Sequence, residues 1–306
     1  MPPVSRRTVI GAMAASAVAA VFRPLAALAL PAPITKPIPS SGEGLPVVGL
    51  GSWVTFNVGN DAELRDECAE VMRAFFAAGG RLIDSSPMYG SSQAVIGYGL
   101  AKLGRPSSLF SADKVWIESG SEGPGQIEQS RGRWGVPRFD LLQVHNLLAW
   151  EAHLPTLFAM KAAGRVRYVG ITTSEGRRHD EMEKVMASQP IDFAQMTYNM
   201  LDREVEQRLL PLAQERRIAV ICNRPFRRGA LIRSVERHPL PAWAAEMGAA
   251  NWAQFLLKFI VSHPAVTCAI PATSQVAHVR ENLGAATGPL PDAAMRRRMV
   301  AYVEGL

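Results

Sequence analysis

The sequence predicts a (β/α)8 TIM barrel of the α/β class. Strand-like apolar runs alternate eight times with segments of helical periodicity, with short connections, as in a closed parallel barrel. Three of the predicted strands end in ionisable side chains, and in such barrels the C-terminal strand ends form one shared pocket. The chain has 306 residues, 48% hydrophobic and 20% charged, which suffices for one large core.

The elements follow in order along the chain. Residues 30–46 are rich in Pro, Ser and Gly and predict a linker and an N-terminal hairpin, and residues 47–306 predict the barrel. Strands are predicted at 47–53, 82–84, 110–114, 140–146, 166–173, 193–198, 219–222 and 266–270. Helices are predicted at 63–78, 92–103, 152–163, 181–187, 205–216 and 252–261, from their apolar spacing.

Four side chains stand where three of these strands end. Asp84 and Tyr89 lie at and just beyond the end of the second strand, Lys114 ends the third, and His145 ends the fourth. Taken singly, such residues are usually structural: a turn aspartate, a packed loop tyrosine or a satisfied histidine. Their common position at strand ends favours a single catalytic site.

The chemistry of this set suits protonation of an oxyanion. A tyrosine with a pKa of about 10 is expected to have that pKa lowered by a nearby lysine, so Tyr89 can serve as a general acid beside Lys114. Asp84 would hold and charge-balance Lys114. A neutral His145 would hydrogen-bond and orient a carbonyl oxygen.

The order of these four residues resembles the Asp, Tyr, Lys, His tetrad of the aldo/keto reductase family. The resemblance runs from roughly Ile34 to Asn282. It includes segments like the family's GLGTW, D-x-A-x-x-Y-G-x-S-E, GxSN and closing IP...EN motifs, at residues 48–53, 84–99, 170–173 and 270–282.

The resemblance implies an NAD(P)H-dependent oxidoreductase acting on a small-molecule carbonyl. Hydride would pass from a reduced nicotinamide to an aldehyde or ketone, and Tyr89 would protonate the resulting alkoxide. Members that reduce carbon-carbon double bonds have Glu in place of His145, so carbonyl reduction is expected here. Trp53, Leu147 and Trp150 are the expected substrate contacts.

The expected cofactor is NADP(H) in preference to NAD(H). Two departures from the family stand out: Asn223 replaces the aromatic residue that stacks on the nicotinamide in many members, and Ala272 and His278 replace a Lys and an Arg that surround the 2'-phosphate. The resemblance implies cofactor contacts at Thr172, Thr173, Gln195, Asn223, Arg224, Phe226, Thr273, Ser274, Gln275, His278, Glu281 and Asn282.

The first 29 residues resemble a twin-arginine export signal. Arg6 and Arg7 precede an apolar, Ala-rich stretch, and small residues offer a cleavage site near Ala29. Arg23 and Pro24 interrupt the apolar run well short of the ~20 residues of a spanning helix, so no stable membrane anchor is expected. The expected partner is the Tat export machinery, and the expected location is periplasmic or exported.

Several function classes lack their signatures. The formal charge of +6 includes three arginines of the first thirty residues, so no nucleic-acid partner is expected. Metal, P-loop and G-x-G-x-x-G dinucleotide motifs are absent from the sequence. Two alternatives stay open: a nicotinamide-binding redox sensor or accessory subunit with slow turnover, and a barrel lyase or isomerase using Tyr89 and Lys114 as acid and base.

Overall fold

The predicted fold class is confirmed by a computed structural model, which describes residues 32–306. The strands are β1 Thr35–Pro37, β2 Gly44–Pro46, β3 Leu50–Gly51, β4 Leu82–Asp84, β5 Phe110–Val115, β6 Phe139–Val144, β7 Val166–Thr172, β8 Phe193–Thr197, β9 Ala219–Asn223 and β10 Val266–Ala269. The α-helices are α1 Ala62–Ala77, α2 Ser92–Lys102, α3 Gly123–Trp134, α4 Trp150–Ala162, α5 His179–Ser188, α6 Leu209–Glu215, α7 Ala230–Val235, α8 Trp252–Val261, α9 Val276–Gly284 and α10 Ala293–Glu304. Short 3-10 helices cover His145–Leu147, Glu204–Glu206 and Ala242–Met247.

Strands β3 to β10 form one parallel sheet in chain order, and the sheet closes on itself. At the seam the Gly49 amide donates to the Ala269 carbonyl (2.8 Å), and the Gly51 amide donates to the Pro271 carbonyl (3.0 Å). A Cβ at Gly51 would lie 2.8 Å from the Ile270 carbonyl oxygen, so the close approach at the seam requires glycine there.

The hairpin of β1 and β2 covers the end of the barrel where the strands begin. The strands pair antiparallel, and the ammonium group of Lys36 donates to the His263 and Val266 carbonyls (both 2.7 Å) at the start of β10. Ile38 and Leu45 belong to the apolar cluster inside the barrel. Since this end is closed, the opposite end, where the strands finish, is left for chemistry.

Two predicted elements differ in the structure, and helices α3 and α7 were not predicted. The first barrel strand is regular only over β3, although residues 47 to 49 still bond to Ala269 at the seam, and it ends early because the chain turns from Trp53 onward. The helix predicted at 205–216 is split into the Glu204–Glu206 turn and α6. Helix α3 was not predicted, because Gly123, Pro124 and Gly125 at its start are typical of a loop.

Within residues 32–306, none of the helices has the length and apolar character needed to cross a membrane. The described residues also contain no group of three or more His, Cys, Asp or Glu side chains that could bind a metal. The predicted export signal lies outside the described part of the chain and stays a prediction.

Candidate active site

The four predicted catalytic residues come together at the C-terminal ends of three adjacent strands. Asp84 ends β4, Tyr89 lies in the turn between β4 and α2, Lys114 is the fifth residue of β5, and His145 directly follows β6. Because β4, β5 and β6 are neighbours in the sheet, their C-terminal ends bring these four side chains to one place.

Asp84 and Lys114 form the buried centre of the site. The Lys114 ammonium lies 2.6 Å from the Asp84 carboxylate and 2.7 Å from the Ser85 carbonyl, and both side chains are almost fully enclosed. The other Asp84 oxygen accepts from the amides of Gln195 (2.9 Å) and Gln143 (3.3 Å). Burial alone would lower the pKa of Lys114. The negative charges nearby, that of Asp84 above all, have the larger effect, so the pKa is raised and the group stays cationic.

Tyr89 lies against both the ammonium and the imidazole. Its ring centroid is 5.1 Å from the Lys114 ammonium, and its ring meets that of His145 edge to face at 5.6 Å. The expectation of a lowered tyrosine pKa is wrong, because burial raises the pKa of Tyr89 by more than Lys114 lowers it. The phenol therefore holds its proton at neutral pH.

His145 is neutral, as expected. Burial first, and the charge of Lys114 second, hold its pKa well below the usual range. Its Nδ1 lies 2.7 Å from the Ser86 hydroxyl. Among the described residues Nε2 has no hydrogen-bond partner, yet it is not fully enclosed, so it is open to a small molecule at the barrel mouth.

The predicted nicotinamide contacts form a connected polar row along the ends of β7, β8 and β9. Asn223 donates to the Thr173 carbonyl (2.8 Å) and accepts from the Thr197 hydroxyl (2.7 Å), so its amide links the three strands. The Thr172 hydroxyl accepts from the Asn146 backbone amide (2.9 Å), next to His145. Gln195 extends from the same row to Asp84, which joins the row to the catalytic residues.

The loop after β9 adds positive charge beside this row. Arg224 and Arg228 both bind one oxygen of Glu175, at 2.6 and 2.8 Å, and Arg177 binds the other. Arg227 contacts Asp202 at 3.3 Å, so four arginines face two carboxylates and leave a positive surplus. The Nε atom of Arg224 is enclosed and has no partner among residues 32–306.

The remaining predicted cofactor residues surround the same mouth. Phe226 lies in the loop after β9, is partly buried and packs against the core. The Thr273 hydroxyl lies 3.3 Å from the His278 ring and accepts from the Gln275 amide at the start of α9. Ser274 is exposed, Glu281 is partly buried, and Asn282 is buried on α9.

The predicted substrate contacts separate into two groups. Trp53 is partly buried at the mouth, with the Arg228 guanidinium 4.3 Å above its ring. Leu147 is fully buried, and Trp150 is 8% exposed with its indole donating to Glu181 (2.9 Å). Both side chains pack beneath the segment that follows β6, and their contact with a substrate stays a prediction.

Sequence reasoning missed three exposed apolar side chains on the loops that follow β3, β4 and β5. Val54, Met88 and Trp116 are 62%, 37% and 40% exposed. Val54 has a φ of 67°, a left-handed conformation that is a genuine outlier for a β-branched residue. The Trp116 backbone amide donates to the Gln126 side-chain oxygen (2.6 Å), and the Gln126 side-chain nitrogen donates to the Trp116 carbonyl (2.8 Å). These side chains thus form an apolar rim on the loops at the C-terminal ends of three neighbouring strands.

Gln143 and Ser86 were missed as well, although the strand period carried a signal for the first. Gln143 lies two residues before His145, and residues two apart on a strand share a face. Its second amide atom, Oε1, is buried without a partner among the described residues. Ser86 offered no local signal, because its contact with His145 spans 59 residues.

The residues present fit a nicotinamide dinucleotide. The alternating donors and acceptors of the row at Thr173, Gln195 and Asn223 suit a carboxamide. The positive surplus and the unpartnered Arg224 atom suit phosphate groups, which guanidinium binds well.

Comparisons with known proteins found a matching family model and several relatives of this chain. The model of the family described as "Aldo/keto reductase family" matches residues 47–299. Methylglyoxal reductase YeaE of Escherichia coli is 27% identical over 87% of this chain and 95% of its own length. The NADH-specific methylglyoxal reductase of the same organism is 25% identical over 64% of this chain and 68% of its own length. The crystal structure of an aldo/keto reductase from Klebsiella pneumoniae, in complex with NADP and acetate, superimposes with a TM-score of 0.71 at 22% identity, covering 86% of this chain and 93% of that one.

Proposed function

Since this chain belongs to the aldo/keto reductase family and is an NAD(P)H-dependent oxidoreductase, we propose that it reduces an aldehyde or ketone to an alcohol with Tyr89 as the proton donor. The observation that carries this proposal is the position of Tyr89, whose ring lies against both the Lys114 ammonium and the His145 imidazole at the ends of the barrel strands. A bound nicotinamide would supply the hydride.

The chain's own residues account for the rest of the chemistry. The open Nε2 of His145 is placed to hydrogen-bond a carbonyl oxygen and orient it. Tyr89 then donates its proton to the oxyanion, and the adjacent cation of Lys114 stabilises the phenolate left behind. Asp84 keeps Lys114 charged and fixed throughout.

Methylglyoxal is the first substrate to test, because two of the relatives are named methylglyoxal reductases. The experiment adds methylglyoxal, and aldehydes with larger apolar groups, to the protein with NADPH or NADH and follows nicotinamide absorbance. Turnover of any of them supports the proposal. Because the rim of Val54, Met88 and Trp116 is apolar, we expect kcat/KM to rise as the apolar group of the aldehyde becomes larger.

Activity is expected to stay constant through neutral pH and to fall only at alkaline pH. The pKa of Tyr89 is raised above its ordinary value in the free enzyme, so the donor loses its proton, and kcat/KM falls, only as the pH rises above about 10. The pKa of His145 is lowered, so the ring stays neutral as the pH falls through 6.5. A kcat/KM profile between pH 6 and 10.5 checks this. A loss centred near pH 7 would point instead to Asp113, whose pKa burial raises to about 7.

NADP(H) is the proposed cofactor in preference to NAD(H). The positive surplus at the loop after β9 favours the extra phosphate of NADP(H). The Arg228→Ala variant is expected to raise the Kd for NADPH about threefold to tenfold, as the loss of one partly exposed charged hydrogen bond does. Fluorescence titration measures both cofactors. Arg131→Ala is the matched control, since it also loses an ion pair with a glutamate, Glu128, but lies on α3, outside this arginine cluster; equal effects would contradict the assignment.

A second candidate function is a nicotinamide-binding redox sensor or accessory subunit with slow turnover. The observation that favours it is Asn223, an amide tied to Thr173 and Thr197 where a stacking ring would stand in many family members. Tight nicotinamide binding without turnover of any aldehyde would select this function.

Export by the twin-arginine route is also proposed, on the sequence alone. Arg6 and Arg7 precede the apolar stretch, and cleavage is proposed near Ala29. In a bacterial host with this pathway, the wild-type chain is expected in the periplasmic fraction in a shortened form. Replacing both arginines with lysine is expected to keep it in the cytoplasm at full length. An unchanged distribution of the double variant would contradict the proposal.

A further inference from the structure

We propose that Ser86 is a positioning residue that fixes the proton of His145 on Nε2 and so makes this ring a hydrogen-bond donor to the substrate oxygen. The proposal rests on the carbonyl reduction proposed above and names a residue that this reaction needs beyond the four at its centre.

Ser86 is fully buried in the turn between β4 and α2. Its hydroxyl oxygen lies 2.7 Å from His145 Nδ1 and accepts a hydrogen bond from the Met88 amide at 3.3 Å. A serine hydroxyl has one proton to donate. Among the described residues, Nδ1 is the one acceptor within reach of that proton, so the hydroxyl donates to Nδ1.

The direction of this bond decides what His145 offers at the mouth. A neutral imidazole has one N–H, and a hydrogen bond at one nitrogen selects which nitrogen carries it. When Ser86 donates to Nδ1, the proton must be on Nε2. Nε2 has no partner among residues 32–306 and is open, so its N–H is available to a carbonyl oxygen.

The reverse arrangement fits poorly. If Nδ1 carried the proton, the hydroxyl proton of Ser86 would have no acceptor within a fully buried side chain, which is costly. Nε2 would then present a lone pair to the carbonyl oxygen, and two acceptors repel each other. The arrangement in which Ser86 donates satisfies the buried hydroxyl and Nδ1, and it leaves the Nε2 N–H for the substrate oxygen.

The same turn also places the proton donor. The Tyr89 amide donates to the Ser86 carbonyl at 3.0 Å, which closes the turn between the two residues. Through its carbonyl and its hydroxyl, Ser86 thus connects Tyr89 to His145, the two groups proposed to act on one oxygen atom.

Nitrogen-15 NMR of histidine-labelled protein tests the proposal directly. The two His145 ring signals are identified by their loss in the His145→Gln variant. We expect Nε2 to be protonated at pH 7 and Nδ1 to be an unprotonated, hydrogen-bonded acceptor. A proton on Nδ1 in the wild-type protein would overturn the proposal, and this readout depends neither on turnover nor on the folding of a Ser86 variant.

The Ser86→Ala variant extends the test to catalysis. Loss of the hydroxyl is expected to shift the Nδ1 signal and to lower kcat about threefold to tenfold, the equivalent of one neutral hydrogen bond, while the Kd for NADPH stays unchanged. Ser86→Thr keeps a hydroxyl and is expected to restore both the signal and kcat. Unchanged ring signals and kcat in Ser86→Ala would contradict the proposal.

Ser92→Ala is the matched control. Ser92 is also a fully buried serine, but its hydroxyl lies 2.9 Å from that of Ser85 and does not contact His145. Its loss is expected to leave the His145 signals unchanged. Should the wild-type protein reduce no carbonyl, the proposed function fails, and the NMR result still decides the role of Ser86.

Discussion

Replacing Tyr89 with phenylalanine is expected to lower kcat by about 100-fold to 10,000-fold, the usual contribution of a general acid. The change removes only the hydroxyl oxygen, and the remaining ring can keep its edge-to-face contact with His145. The Kd for NADPH is therefore expected to stay unchanged. Steady-state kinetics with an aldehyde and fluorescence titration with NADPH measure the two quantities on the same preparation.

Tyr98→Phe is the control for this substitution. Tyr98 is an exposed residue on α2 whose hydroxyl donates to Asp66, outside the site, so its loss is expected to leave kcat unchanged. Wild-type kcat in the Tyr89→Phe variant would show that the proton comes from another group. It would leave the barrel and the family assignment intact but remove Tyr89 from the mechanism.

Replacing Lys114 with methionine is expected to lower the free energy of unfolding by about 3–5 kcal/mol, because it leaves the buried carboxylate of Asp84 without its cation. The amides of Gln143 and Gln195 still donate to this carboxylate, but they carry no charge. Chemical denaturation at neutral pH measures the loss. The double variant Lys114→Met with Asp84→Asn is expected to be less destabilised than the sum of the two single variants.

Lys258→Met is the matched control for burial without a carboxylate partner. Lys258 is fully buried on α8, and its ammonium donates to the carbonyls of Thr287 (2.6 Å) and Pro289 (3.1 Å). Its loss is expected to cost about 1–3 kcal/mol, the penalty of unmade hydrogen bonds. A smaller loss for Lys114→Met than for Lys258→Met would contradict a central role of the Asp84 pair in stability.

The fold and the tetrad were predictable because their signals are local. Each strand is a short apolar run, and Asp84, Lys114 and His145 stand at the ends of such runs. The local signal for helix α3 is weak. After the Gly-Pro-Gly start, only Ile127, Ser130 and Trp134 show the spacing of a buried helical face.

The rest depends on contacts between distant parts of the chain. The pKa of Tyr89 follows from how completely the fold encloses it, which the neighbouring residues in the sequence do not specify. The burial of Trp150 depends in the same way on Glu181 of the next helix, which accepts a hydrogen bond from its indole. The contact between Ser86 and His145 likewise exists only once β4 and β6 are in one sheet.

Transfer of deuterium from the cofactor to the product reports carbonyl reduction at this site without ambiguity. NADPH with deuterium at both C4 positions of the nicotinamide is incubated with the protein and methylglyoxal or a larger aldehyde, and the product is analysed by mass spectrometry and NMR. We expect an alcohol with one deuterium on the former carbonyl carbon, formed over many turnovers and lost with Tyr89→Phe. Binding of NADPH without deuterated alcohol from any aldehyde would contradict the proposed reduction.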